Sequence, residues 1–324
     1  MALLSVKNLT IGYETPNGMV TAVANICFDL EKGRPLGFVG ESGCGKTTIG
    51  MALMGLLPDN GKILGGSIEF DGKDLAALIE AQWQKVRGKD VAMIFQAAMN
   101  ALNPVYRIDD QIKEVIVTHQ PDILDSELNR QMKALFDLVE IPMDRIHDYP
   151  HEYSGGMKQR LIIAMALACS PQLIIADEPT TALDVIVQDQ ILKGLKKIQK
   201  KMKTGLIFIS HDIAVVASIC QDICVMYGGQ IVEMGPGKEV FSSPSHPYTK
   251  TLLGSYLSLD NEDRIVIPDM REAPDLTMRS GDCRFAANCS SCSDGCGKAP
   301  QWINLSPTHK ALCCEPGIYR KTYE

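Results

Sequence analysis

Long apolar runs and a basic surplus are both missing from this chain. The longest hydrophobic stretches, such as LIIAMALAC at Leu161–Cys169, fall far short of the roughly 18 or more residues that would span a bilayer. The protein is therefore not expected to cross a membrane by itself. Its opening, MALLSVKNLTIGYE, alternates like a strand and has no charged start, long apolar middle or small-residue cleavage site. The expectation is a cytosolic protein. A net charge of −7 supplies no global basic field, so DNA or RNA backbones are not expected partners.

A disulfide framework is the next absence. Eleven cysteines in a reducing compartment point instead to metal ligation, redox chemistry or plain burial. Cys27, Cys44, Cys169, Cys220 and Cys224 are scattered among apolar neighbours, whereas the remaining six crowd into Cys283–Cys314. The tail is thus set apart from the body.

With 324 residues the chain can bury a large core, as one big domain with an appendage or as two domains. Short apolar strands alternate with segments of helical period: PLGFVG then TTIGMALMGLL, VAMIFQ then a long helical stretch, LIIADE then VQDQILKGLKKIQKKM, GLIFIS then IAVVASIC. That alternation predicts an α/β core with a largely parallel sheet. From about Tyr106 to Ala168 no strand is expected, and the span reads as a helical insertion. Composition shifts at SSPSHPYTK and becomes loop-rich after Leu259, which places a boundary there. The lysines Lys193, Lys196, Lys197, Lys200, Lys201 and Lys203 share a helix with Leu192, Leu195, Ile198 and Met202 at core spacing, so they are read as a solvated face.

GESGCGKT, Gly40–Thr47, fits the phosphate-loop pattern G-x-x-x-x-G-K-[ST] between a predicted strand and a predicted helix. Gly40, Glu41, Ser42, Gly43, Cys44 and Gly45 would wrap phosphates with backbone N–H groups, aided by Thr48. Lys46 would reach the β and γ groups, and the Thr47 hydroxyl would ligate Mg²⁺. Cys44 is read as a small filler in the loop. LIIADEP, Leu173–Pro179, is a buried strand ending in two carboxylates. Asp177 would support the Mg²⁺ shell and Glu178 would polarise the attacking water. In EYSGGMKQR, Glu152–Arg160, a Ser-Gly-Gly helix start leaves N–H groups free for a second anion.

Together these motifs resemble the ATP-binding subunit of ABC transporters over about Leu3–Leu259. The resemblance implies further roles: Gln96, ending VAMIFQ, as the Q-loop residue and a Mg²⁺ ligand; Thr181-Ala182-Leu183-Asp184 as the D-loop; His211 as the switch histidine touching the γ-phosphate; Tyr13 as the aromatic stacked on adenine, with a half-buried strand tyrosine as its rival. It also implies that Ser154, Gly155, Gly156 and Asp184 serve ATP held by a second subunit, so that ATP joins two chains. Tyr153 stands where leucine is usual, Met157 where glutamine is common, and Ala97 where an acidic residue is frequent. The implied fold is a P-loop NTPase core with a mainly parallel sheet, an N-terminal antiparallel β part, a helical subdomain at about 97–168, and a small cysteine-rich module at 260–324.

LNPVYRIDDQI (Leu102–Ile112), HPYTKTLL (His246–Leu253) and the tail cysteines resemble the dipeptide/oligopeptide importer group, which includes nickel importers. Four thiolates in a turn-rich segment suit either a [4Fe-4S] cluster or Cys₄ zinc, and the intervals between Cys283, Cys289, Cys296 and Cys313 are not the paired C-x₂-C knuckles of a zinc ribbon. The resemblance implies an iron–sulfur cluster on Cys283, Cys289, Cys296 and Cys313, with Cys292 and Cys314 as spare thiols and His309 close by. It further implies two transmembrane permease subunits, a substrate-binding protein acting through them, a paralogous second ATPase, and a place at the cytoplasmic side of the cell membrane. A DNA-repair ATPase would carry long coiled coils, and a translation ATPase two cassettes; neither pattern is present. An iron–sulfur redox sensor using ATP as a regulator is a third rival, and nickel or another small solute in place of peptide is the closest alternative within transport.

Overall fold

Strict alternation at the N-terminus suits a half-buried sheet, and the chain meets it with two long strands. The computed structural model describes residues 2–96, 101–181, 183–257, 283–289, 291–292, 296 and 299–314. Ala97 and Ala182 lie outside the described residues. In chain order the elements are β1 (Ala2–Thr15), β2 (Gly18–Glu31), β3 (Leu36–Val39), α1 (Lys46–Leu53), β4 (Gly61–Phe70), β5 (Lys73–Asp74), α2 (Glu80–Val86) and β6 (Val91–Ile94). There follow α3 (Ile108–His119), α4 (Asp125–Leu138), α5 (Gly155–Leu167), β7 (Leu173–Asp177), α6 (Val185–Met202), β8 (Gly205–Ser210) and α7 (Ile213–Ile219). The chain continues through β9 (Asp222–Tyr227), β10 (Gln230–Pro236), α8 (Gly237–Ser242), α9 (Pro247–Leu257), β11 (Gln301–Asn304) and β12 (Lys310–Cys313).

Two compact units divide the chain. The first comprises Glu31–Arg34 and Ala77–Phe208. Its strands are ordered β8-β7-β6, and β6 and β7 pair in parallel from Val91 opposite Leu173 to Ile94 opposite Ala176. Between β6 and β7 no strand occurs among the described residues; α3, α4 and α5 pack on one another there. Their apolar faces meet through Ile112, Ile116, Met132, Phe136, Leu161 and Ala164, all buried. On α6, Leu192, Leu195 and Ile198 are buried while the lysines are exposed, the division that its amphipathic spacing predicts.

The second unit comprises Ala2–Leu30, Pro35–Ala76 and the chain from Ile209 onward. One sheet runs β2-β1-β4-β5, with β1 and β4 antiparallel so that Leu4 faces Phe70 and Tyr13 faces Gly61. The other runs β11-β12-β10-β9-β3, where β3 and β9 are parallel and the remaining pairs antiparallel. The hairpin β11–β12 was not foreseen in the loop-rich tail. Its four-residue strands carry too little pattern to read locally, and they are fixed by pairing with β10, where Glu233 opposes Ala311. No helix among the described residues is long and apolar enough to cross a membrane.

Candidate functional site

The phosphate loop belongs to the second unit and joins β3 to α1. Gly43 and Gly45 have φ of +80° and +100°, the left-handed region that glycine enters without cost, and a Cβ on Gly45 would lie 2.8 Å from the Ala22 carbonyl oxygen. Nothing lies within 4 Å of where a Gly43 Cβ would stand, so that part of the loop is open to a ligand. Lys46 is buried, and its Nζ donates to the carbonyls of Gly40 (2.7 Å) and Glu41 (2.8 Å). Cys44 is buried, and burial pushes its thiol up despite the pull of Lys46. Burial likewise raises the Glu41 carboxyl, with Lys46 opposing. Ser42 and Thr47 are exposed.

Tyr13 is half-buried on β1. Its hydroxyl donates to Thr48 Oγ1 (3.2 Å) and its ring packs over Gly61, where a Cβ would come within 2.8 Å of Cε1. The ring thus stands at the start of α1 as a strand residue. His211 is exposed, and the next residue, Asp212, caps α7 by accepting from the Ala214 (2.8 Å) and Val215 (3.2 Å) amides. The cap fixes the chain direction at which the histidine is presented.

In the first unit the C-terminal end of β7 presents the carboxylates. Asp177 is buried and Glu178 half-buried. Glu178 has φ +44°, uncommon for a residue with a side chain, and it is held there by Thr181, whose amide donates to the Glu178 carbonyl (3.2 Å) and whose hydroxyl donates to Oε2 (3.0 Å). The same Oε2 accepts from Gln96 Nε2 (3.2 Å). Two residues with separately expected roles therefore touch, although 82 positions separate them. Ser154 caps α5 by accepting from the Met157 amide (3.4 Å), while Ser154 and Gly155 remain exposed. Gly156 is the packed glycine: a Cβ there would meet Val187 Cγ1 at 2.6 Å. Asp184 caps α6 through the Val187 amide (2.9 Å). Tyr153 is buried, its hydroxyl donates to the Arg145 carbonyl, and the Arg145 guanidinium lies 4.9 Å from its ring centre. A tyrosine in place of leucine is thus accommodated with its polar tip partnered.

In the tail, Cys296 and Cys313 are buried and Cys283 and Cys289 half-buried. Burial first, then the neighbouring thiols Cys296 and Cys313, push the Cys283 thiol up. Cys289 is raised to about 11 by burial and then by Cys296, Cys283 and Cys292. Cys314 is raised by burial and then by Cys283, Cys296 and Cys313, and its Sγ lies 3.7 Å from the Cys296 carbonyl oxygen. The thiols are neighbours, yet among the described residues no group of three or more His, Cys, Asp or Glu is arranged to hold a metal ion. His309 turns to Glu233, with Nε2 2.7 Å from Oε1. Glu233, fully buried, also accepts from the amides of Ser245 (2.9 Å) and His246 (2.8 Å). Sequence reading missed this carboxylate, which sits in an ordinary strand pattern, QIVEMGP.

A family model described as ABC transporter matches residues 23–181, and one described as oligopeptide/dipeptide transporter, C-terminal region, matches 232–296. The chain is 42% identical over 317 residues to the oligopeptide transport ATP-binding protein OppD of Escherichia coli (97% of this chain, 94% of that protein). It is 42% identical over 315 residues to the dipeptide transport ATP-binding protein DppD of Bacillus subtilis (96% and 94%). The dimeric structure of MJ0796, a bacterial ABC transporter cassette, superposes with a TM-score of 0.64 at 25% identity, covering 72% of this chain and 98% of that one.

Proposed function

The chain belongs to the ABC transporter family, in its oligopeptide/dipeptide group, and we propose that it is the ATP-hydrolysing subunit that powers a peptide importer. The observation that carries this reading is the phosphate loop itself: Gly43 and Gly45 in left-handed conformations, an open face at Gly43, and Lys46 seated across the loop's first peptides. The loop suits a run of phosphates because its backbone donors are presented by a turn that only glycine permits.

Lys46 would stabilise the transferring phosphoryl group, Glu178 would orient the attacking water, and His211 would contact the γ-phosphate. The family resemblance implies that Thr47, Asp177 and Gln96 would hold Mg²⁺, and each carries the oxygen donor which that ion takes. That ion, when bound, neutralises charge that develops between the β and γ phosphates. Thr181 and Gln96 both donate to one carboxylate oxygen of Glu178, which supports a fixed carboxylate for the attacking water.

The exposed start of α5, with Ser154 and Gly155 accessible, supports a role toward ATP bound by a second subunit. OppD and DppD are transport ATP-binding proteins by name, and the MJ0796 cassette is dimeric. These findings support a second ATPase as the partner; the family resemblance further implies a paralogue in preference to a copy of the same chain, with the pair working on the cytoplasmic face of two permease subunits fed by a binding protein. Cys283, Cys289, Cys296 and Cys313 would hold a [4Fe-4S] cluster, with zinc as the alternative; soft thiol donors suit either metal centre, and Cys296 acts on the thiols of both Cys283 and Cys289.

The test is ATP hydrolysis by the purified chain and its Glu178→Gln variant. The variant should bind ATP with Mg²⁺, turn over at least a hundredfold more slowly, and accumulate as a closed dimer, with its own copy or with the paralogous ATPase when that is supplied. A variant that stays monomeric with ATP and hydrolyses it at the wild-type rate would overturn the assignment. Protein prepared without oxygen should be brown; a colourless preparation carrying stoichiometric zinc would decide for the alternative metal.

A further inference from the structure

The phosphate loop is held from behind by residues of the C-terminal third, which lies outside the segment that the ABC transporter model matches. The Glu41 amide, at the second position of GESGCGKT, donates to the hydroxyl of Tyr248 (3.0 Å), 207 residues away. Tyr248 is among the largest fully buried side chains. Its ring lies 4.7 Å from that of Tyr227 and 5.7 Å from that of Phe285, and the Tyr227 hydroxyl accepts from Asn288 Nδ2 (2.9 Å). Its own amide donates to His246 Nδ1 (3.1 Å), while the His246 amide is bound by Glu233. Backbone and ring are both fixed, so the hydroxyl has one position.

A second hold reaches the middle of the loop. The Cys44 carbonyl accepts from the Gly229 amide (3.0 Å). The turn carrying Gly229 is gripped by Arg284, a buried residue whose Nη1 donates to the Gly228 carbonyl and to the Thr21 carbonyl (3.2 Å). Arg284 and Phe285 directly follow Cys283, so the cysteine-bearing segment delivers one hold and packs against the other.

We propose that Tyr248 and Arg284 are positioning residues for ATP binding: they fix the Glu41 and Cys44 peptides so that the loop meets the phosphates already shaped. This rests on the reading above that the loop binds ATP. Shaping the loop in advance removes ordering entropy from the binding step. The effect therefore falls on affinity and on kcat/KM, with kcat at saturating ATP little changed. Tyr248→Phe keeps the aromatic packing and removes only the acceptor. Arg284→Lys keeps the charge on a shorter stem, whose amine falls short of the position from which Nη1 donates to both carbonyls.

ATP binding to the full chain would be measured by calorimetry for wild type, Tyr248→Phe, Arg284→Lys and Lys46→Ala, together with steady-state kinetics and melting temperatures. Loss of one neutral hydrogen bond corresponds to about three- to tenfold in affinity. Tyr248→Phe should raise KM for ATP by that factor with kcat within about twofold, and Arg284→Lys should shift KM in the same direction. Lowered melting temperature with wild-type affinity in Tyr248→Phe would make the tyrosine merely structural and overturn the proposal. Should Tyr248→Phe not fold, wild-type affinity in Arg284→Lys overturns it equally. A wild-type chain that binds ATP no better than Lys46→Ala would instead remove the reading beneath it.

Discussion

Gly156 carries two separable demands, and one substitution can part them. Adding a methyl group there places Cβ 2.6 Å from Val187 Cγ1, whereas carbon atoms rest at ~3.5–4 Å. The start of α5 and the start of α6 must therefore separate by about 1 Å, or Val187 must leave its rotamer, at a cost of about 1–3 kcal/mol. Alanine returns up to about 1 kcal/mol through its helix preference. The net expectation for Gly156→Ala is a loss of about 1–2 kcal/mol, read as a melting temperature lower by about 2–8 °C. Val187 is only half-buried, so Val187→Ala alone should cost little, and the double variant should melt within about 2 °C of it. ATP hydrolysis then separates the demands. If the glycine is also needed for close approach to a phosphate held by a second subunit, the double variant regains stability and stays slow. Wild-type melting of Gly156→Ala, or no recovery in the double variant, would refute the steric argument.

Three further outcomes follow from buried groups. Glu233→Ala strands two amides and the His309 ring and should cost about 3–5 kcal/mol, with Glu233→Gln costing less; urea unfolding measures both, and equal stability of all three proteins would contradict the structure. His246 is neutral, since its Nδ1 accepts an amide, and burial lowers its pKa to about 4 against the pull of Glu233. The unfolded histidine titrates near 6.5, so this contribution is complete above that pH and is lost as pH falls towards about 4. Between about pH 7 and about pH 4.5 wild type should lose on the order of 2–3 kcal/mol more than His246→Gln, and parallel pH profiles would exclude the effect. The raised thiols of Cys283 and Cys289 must shed protons to bind a metal, so zinc loading of the metal-stripped chain should release protons and tighten with pH; calorimetry in two buffers of different ionisation heat checks this, and a heat independent of buffer would refute it.

The parts legible in the sequence were those whose physics is local. GESGCGKT specifies its own bend, LIIADE is apolar enough to be a buried strand and ends in its carboxylates, and Ser-Gly-Gly at Ser154 opens the helix that follows it. The parts that were not legible depend on partners far away in the chain. Gln96 meets Glu178 across 82 positions, and the four-residue strands β11 and β12 gain their hydrogen bonds from a neighbour strand rather than from their own pattern.

By itself the sequence determined the chemistry on offer: a glycine-bent anion cradle with its lysine, two carboxylates at a strand end, and a cluster of thiols in the tail. Only the tertiary structure decided what holds the cradle still. A tyrosine, an arginine and a buried glutamate from the C-terminal third are ordinary residues in their local contexts. Their roles exist because long-range packing brings a fixed hydroxyl and guanidinium against the backbone of Gly40–Thr47 and its neighbouring turn, a placement that no local period or spacing encodes.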